Sequence, residues 1–107
     1  MEEEEAFAVA IERPGGRTVV VVAHGELDML SAPELRGAIE EAIEPGHELI
    51  LDVGGLDFID STGVHLVLQT DSASRRDGWG FSIRGATGEV MRAFELTGLA
   101  DRLPFRS

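Results

Sequence analysis

At 107 residues the chain is the size of one domain, long enough to bury a core without disulfides or a metal. It has no cysteine, which excludes disulfides, thiolate metal sites and thiol redox chemistry. Twenty acidic residues against nine arginines and no lysine give a formal net charge of −11, which repels phosphate polymers and anionic membrane surfaces, so direct nucleic-acid or membrane binding is not expected.

The chain opens on Met1-Glu2-Glu3-Glu4-Glu5, acidic where a secretory signal carries positive charge. Residues 1–6 read as a solvated, flexible tail, with a single domain over 7–107. The longest apolar run, Val19 to Ala23, is too short to cross a bilayer, so a soluble cytoplasmic protein is expected. His24, His47 and His65 do not have the spacing of metal ligands, and no metal is expected.

Phe7 to Arg13 and Thr18 to Ala23 are β-prone runs separated by Pro14-Gly15-Gly16-Arg17, the composition of a hairpin turn. The second run is nearly all valine, as in a central strand covered on both faces. A helix is then predicted after Gly25-Glu26-Leu27-Asp28. Ser31 and Glu34 form a capping box, Pro33 lies in the first turn, and Pro45-Gly46 ends the helix. Leu35, Ala38, Ile39, Ala42 and Ile43 supply its apolar stripe.

Glu48 to Val53 is predicted as a buried strand, with a turn near Gly54-Gly55 leading through Leu56-Asp57-Phe58-Ile59. A second helix is expected from Ser61 to about Ser74. Val64, Val67 and Leu68 share one face of it, and Leu66 points elsewhere, to a neighbouring helix or the surface. Arg75-Arg76-Asp77-Gly78 reads as a polar turn. Gly80 to Arg84 is a weakly signalled strand. Gly88 to Leu96 is a last helix with Val90, Met91 and Phe94 on one face, Gly98 closes it, and Leu103-Pro104-Phe105 suits a short edge strand. The fold class is therefore α/β, with an initial β-hairpin followed by βαβαβα order and a mixed sheet of four to five strands.

Asp60-Ser61-Thr62-Gly63 stands at the start of the second helix. Asp60 is placed to accept from the unpaired N–H groups of the first turn, while Ser61 and Thr62 present hydroxyls accessible to a protein kinase. By itself the tetrapeptide is an ordinary helix start. A phosphate there would sit at a helix N-terminus, which favours anions, so the fold should tolerate it. Its added charge would instead be felt across an interface that already holds Asp28, Asp57 and Asp60.

In its setting the segment is more specific. Gly25-Glu26-Leu27-Asp28 followed by Ser31-Ala32-Pro33, the stretch Asp52 to Gly63, and Phe94-Glu95-Leu96-Thr97-Gly98-Leu99 stand in the order and spacing of the STAS domain, and the chain resembles the bacterial anti-sigma factor antagonists of that family along nearly its whole length. The resemblance implies a STAS-like single domain in which Ser61, or secondarily Thr62, is phosphorylated by an anti-sigma factor serine kinase. The unphosphorylated form would bind that kinase and free a sigma factor, and a serine phosphatase would restore it. Asp28, Asp60, Ser61, Thr62, Gly63 and Val64 would form the partner-binding surface. ATP and magnesium would belong to the kinase, leaving this chain without a cofactor.

The resemblance assigns Gly25 and Gly98 to backbone geometry, and Phe94 and Leu99 to packing. Asp28 reads as a loop carboxylate whose removal costs little stability. After Gly63, where the family pattern has leucine and a second glycine, Val64 keeps an apolar contact and His65 brings a titratable ring, read as a surface helix residue. Two other functions compete. One is a STAS interaction subunit of a signalling complex or of a lipid or anion transport system, without a phospho-switch. The other is an enzyme using Asp28, Asp57, Asp60 and Ser61 as a hydrolytic or metal-dependent cluster, which lacks a motif tying a base to the serine and a defined ligand set.

Overall fold

The computed structural model describes residues 7–106, and the acidic run read as a tail lies outside them. Five strands form one mixed sheet in the spatial order β1 (Phe7–Gly15), β2 (Thr18–Leu27), β3 (Glu48–Ile59), β4 (Gly80–Arg84), β5 (Phe105–Arg106). β1 and β2 pair antiparallel, as expected of the hairpin, and each later neighbour pairs parallel. Three helices make the crossovers: α1 (Ala32–Ala42), α2 (Ser61–Asp77) and α3 (Gly88–Glu95).

The helices share one face of the sheet, with α2 packed between α1 and α3. Alternation along the strands sends Val19, Val21, Ala23, Leu49, Leu51, Val53, Phe81 and Ile83 into the core beneath them. Phe94, Leu27, Leu35 and Leu51 are fully buried there, and each burial is worth about 2 kcal/mol. The valine run was expected to be covered on both faces. Val20 is indeed buried, with Ile50 and Ser82 beside it on the opposite face, but none of the three helices does this. Arg84–Asp52 (3.0 Å) and Arg106–Glu48 (3.3 Å) bridge strands over that face, and Arg106 also donates to Ser82.

Three boundaries differ from expectation. β2 runs on through Gly25-Glu26-Leu27, and β3 does not turn at Gly54-Gly55 but continues to Ile59. The register against β2 slips between Val22 and His24 and again between Gly25 and Glu26, so the glycine pair marks a bulge. A Cβ on Gly55 would run into the exposed His24 ring as it stands, so a side chain there would force that ring to turn away. α2 extends three residues past Ser74, taking in Arg75 and Arg76 in its last turn, where cations meet the carbonyl end favourably, and Gly78 closes it in the left-handed conformation.

Leu66 resolves toward the neighbouring helix: it is buried and shares a crevice with Ile39 of α1 and Trp79. A short 3-10 turn, Ala100–Arg102, precedes the edge strand β5 and has no counterpart in the sequence reading.

Candidate functional site

Extending β2 and β3 in parallel brings their carboxyl ends to one edge. Leu27 pairs with Ile59, and the Asp60 amide donates to the Leu27 carbonyl at 3.0 Å. The loop after Leu27 and the start of α2 are thus fixed side by side, although more than thirty residues separate them in sequence.

Asp60 is the N-cap of α2: its backbone is extended and its Oδ1 accepts from the Gly63 amide at 3.1 Å. Ser61 and Thr62 occupy the first two helical positions with exposed side chains. Gly63 and Val64 are buried. A methyl on Gly63 would come within 2.8 Å of both Leu27 Cγ and Ile59 Cγ1, so glycine here lets α2 start close against the two strand ends. Of the six residues expected at a partner surface, these two support it from beneath.

Asp28 is held by local bonds. Its Oδ1 accepts from the amides of Leu30 (3.0 Å) and Ser31 (3.1 Å). The expected capping box is absent, because the buried Ser31 hydroxyl is already engaged: it accepts from the Asp28 amide at 2.9 Å and donates to the Glu26 carbonyl at 2.8 Å. The Asp28 carbonyl takes the Ala32 amide at 2.8 Å, and the Glu34 amide that the Ser31 side chain was expected to cap bonds to the Ser31 carbonyl at 3.0 Å instead. These bonds tie Asp28 into its turn and argue against a negligible cost for its removal.

This turn pushes Met29 and Leu30 outward, 67% and 86% exposed, and Phe58 (47%) and Leu96 (76%) are the other large apolar side chains left in solvent among the described residues. Isolated exposed apolar residues need no explanation, but Phe58 and Leu96 converge. Leu96 lines an apolar groove of about 410 Å³ with Ser61, Val64, His65, Leu68 and Ala93, and Phe58 and Leu96 share the adjoining hollow. Glu26, Asp57 and Glu89 add exposed carboxylates at the same end. This patch was not legible in sequence, because Phe58 and Leu96 come from distant segments and lie outside any apolar periodicity.

The family-assigned structural residues fall in line. Gly25 and Gly98 have φ of +95° and +75°, Phe94 is fully buried, and Leu99 is half-buried. The three histidines lie apart: His24 over Gly55 on the helix-free sheet face, His47 beside Glu44 at 3.4 Å, and His65 on α2. Among the described residues no three His, Asp or Glu side chains converge as a metal site, and no helix is long and apolar enough to cross a membrane.

A parallel sheet with an antiparallel leading hairpin, helices on one face, and a capped hydroxyl-bearing helix start at the strand ends are the features of a STAS domain. The chain belongs to that family: residues 10–105 match the family model described as Mlab, STAS domain. It is 30% identical to the anti-sigma-B factor antagonist of Bacillus subtilis over 77 residues, 72% of this chain and 71% of that protein. An anti-sigma factor antagonist from Mycobacterium paratuberculosis superposes with a TM-score of 0.77 at 26% identity, over 98% of this chain and 89% of the other. The anti-sigma factor antagonist SpoIIAA in its unphosphorylated form gives 0.70 at 28% identity, over 94% and 89%.

Proposed function

We propose that this chain is a cytoplasmic anti-sigma factor antagonist that switches partners by phosphorylation. In the unphosphorylated form it binds an anti-sigma factor serine kinase through the edge around Ser61 and thereby frees a sigma factor. Phosphorylation of Ser61, or secondarily of Thr62, ends the binding, and a serine phosphatase restores it. The observation that carries this reading is the exposed Ser61 at the first position of a capped helix, set in an apolar patch with an acidic rim, in a chain whose relatives bear the name anti-sigma factor antagonist.

In the transfer this chain is the acceptor. The Ser61 Oγ attacks the γ-phosphorus of the kinase's ATP, the bond to the β–γ bridging oxygen breaks, ADP departs, and the hydroxyl proton passes to a base of the kinase. The phosphate arrives at a helix end that favours an anion, so the fold survives. Two further negative charges beside Asp28, Asp57 and Asp60 disfavour a partner that had matched the uncharged hydroxyl.

The test is phosphorylation by the purified cognate kinase with ATP, read by mass spectrometry, joined to calorimetry of two variants. Ser61→Ala is expected to keep the fold and the affinity and to resist inactivation. Ser61→Asp is expected to fold and bind at least about tenfold more weakly, the loss of about 1.4 kcal/mol or more. Equal affinities for the two variants would sink the mechanism. A second reading is an interaction subunit that docks through the same surface without a phospho-switch, since the family match covers the domain and assigns no phosphosite. A protein that binds its partner through Leu30 and Leu96 yet acquires no phosphate on Ser61 or Thr62 would be that subunit.

A further inference from the structure

Ser61 and His65 stand at positions i and i+4 of α2, both exposed, and both line the apolar groove under Leu96. Residues so spaced share a helix face with Cβ atoms about 6 Å apart, and helical side chains lean toward the N-terminus, so the imidazole is carried over the turn that Ser61 begins. His65 is the one basic side chain lining that groove. Asp60, the other charged group there, already accepts from the Gly63 amide.

The remaining charges lie on other sides. From α1, Arg36 and Glu40 face His65 across a second hollow that also holds Arg76 and that Ser61 does not line, and Arg36 donates to Gln69 at 3.4 Å. From α3 the groove is met by the uncharged Ala93, Leu96 and Thr97, while Glu89 and Arg92 line the hollow beside Phe58. Asp28 and Asp57, at the strand ends, add negative charge to that edge.

We propose that His65 is the intramolecular counter-cation of a phosphate on Ser61. The protonated imidazole donates to one phosphate oxygen across a single turn of α2, while free first-turn amides serve the others. The inference rests on the reading of Ser61 as the phosphoacceptor. It makes the modified state self-stabilised and pH-dependent: the pair exists where the imidazole is protonated and the phosphate is a dianion, and it is lost when either condition fails.

Phosphoserine is installed at position 61 during synthesis of the full chain, so no kinase is involved. The second ionisation of the phosphate is followed by 31P NMR in the otherwise unaltered chain, in His65→Gln and in Arg36→Gln. Glutamine suits an exposed helical site at least as well as histidine, so the first variant folds.

His65→Gln is expected to raise the phosphate midpoint by about 0.5 pH units and to lower the melting temperature of the phosphorylated chain more than that of the unmodified one. Arg36→Gln is expected to leave both unchanged. Equal midpoints with and without His65 overturn the pairing, as does a shift that follows Arg36 instead. Because the phosphate is placed synthetically, that failure leaves the kinase reading intact. A kinase that ignores Ser61 would likewise leave the NMR result standing.

Discussion

Gly63 and Asp28 look like surface motif residues in sequence and are tied into the fold in different ways. At Gly63 two effects oppose: alanine is better in a helix by about 1 kcal/mol, while a methyl would sit 2.8 Å from Leu27 Cγ and Ile59 Cγ1. Leu27 and Ile59 are both buried, so neither side chain yields cheaply and overpacking wins. Gly63→Ala is expected to lower stability by a net amount of about 1 kcal/mol in urea denaturation, and a stabilised variant would show that the strand ends relax.

Asp28 loses two amide bonds to its carboxylate on conversion to alanine, and its turn is what sets Met29 and Leu30. Asp28→Ala is expected to cost about 1 to 2 kcal/mol, with Asp28→Asn recovering most of it because the amide oxygen still accepts. Matching melting curves for Asp28→Ala and the unaltered chain would return this residue to the class of solvated loop carboxylates.

At the scale of elements, the helix start at Asp60 was legible because capping is local chemistry: a carboxylate three residues before an unpaired amide needs no tertiary information. Asp60→Ala is expected to destabilise by about 1 kcal/mol and Asp60→Ser to restore most of that, measured by thermal unfolding. The capping box at Ser31 failed for the converse reason. Its hydroxyl is taken by Glu26 and Asp28, whose positions depend on β2 continuing past Ala23, a consequence of pairing with the end of β3.

The glycine pair in β3 misled in the same way. Locally it signals a turn, whereas the parallel ladder absorbs it as a bulge beneath His24. The end of α2 was missed because Arg75 and Arg76 read as turn polarity, although arginine is a good helix former and the left-handed stop stands at Gly78. Thus the order of strands and helices, the hairpin and the hydroxyl-bearing turn followed from periodicity and local chemistry. Strand lengths and the Asp28 turn required knowledge of which strands are neighbours.

For the whole molecule, the face that matters is assembled from what the fold leaves over. The core takes the alternating residues of β2 to β4 and one stripe of each helix, and Leu30, Phe58 and Leu96, placed at element ends, find no partner inside. A net charge of −11 opposes self-association electrostatically, and an apolar patch ringed by carboxylates favours a partner whose matching surface is apolar with a basic rim. Burial of such anchors dominates an interface, whereas their replacement on an exposed surface leaves stability nearly unchanged. Leu30→Ser combined with Leu96→Ser is therefore expected to weaken binding to the cognate anti-sigma factor by about tenfold or more, with the melting temperature held within a few degrees. Titration calorimetry on the double variant checks it. Unimpaired affinity would remove the patch from the interface and leave the Ser61 turn to act alone, whereas a collapse in melting temperature would show that these side chains serve the fold.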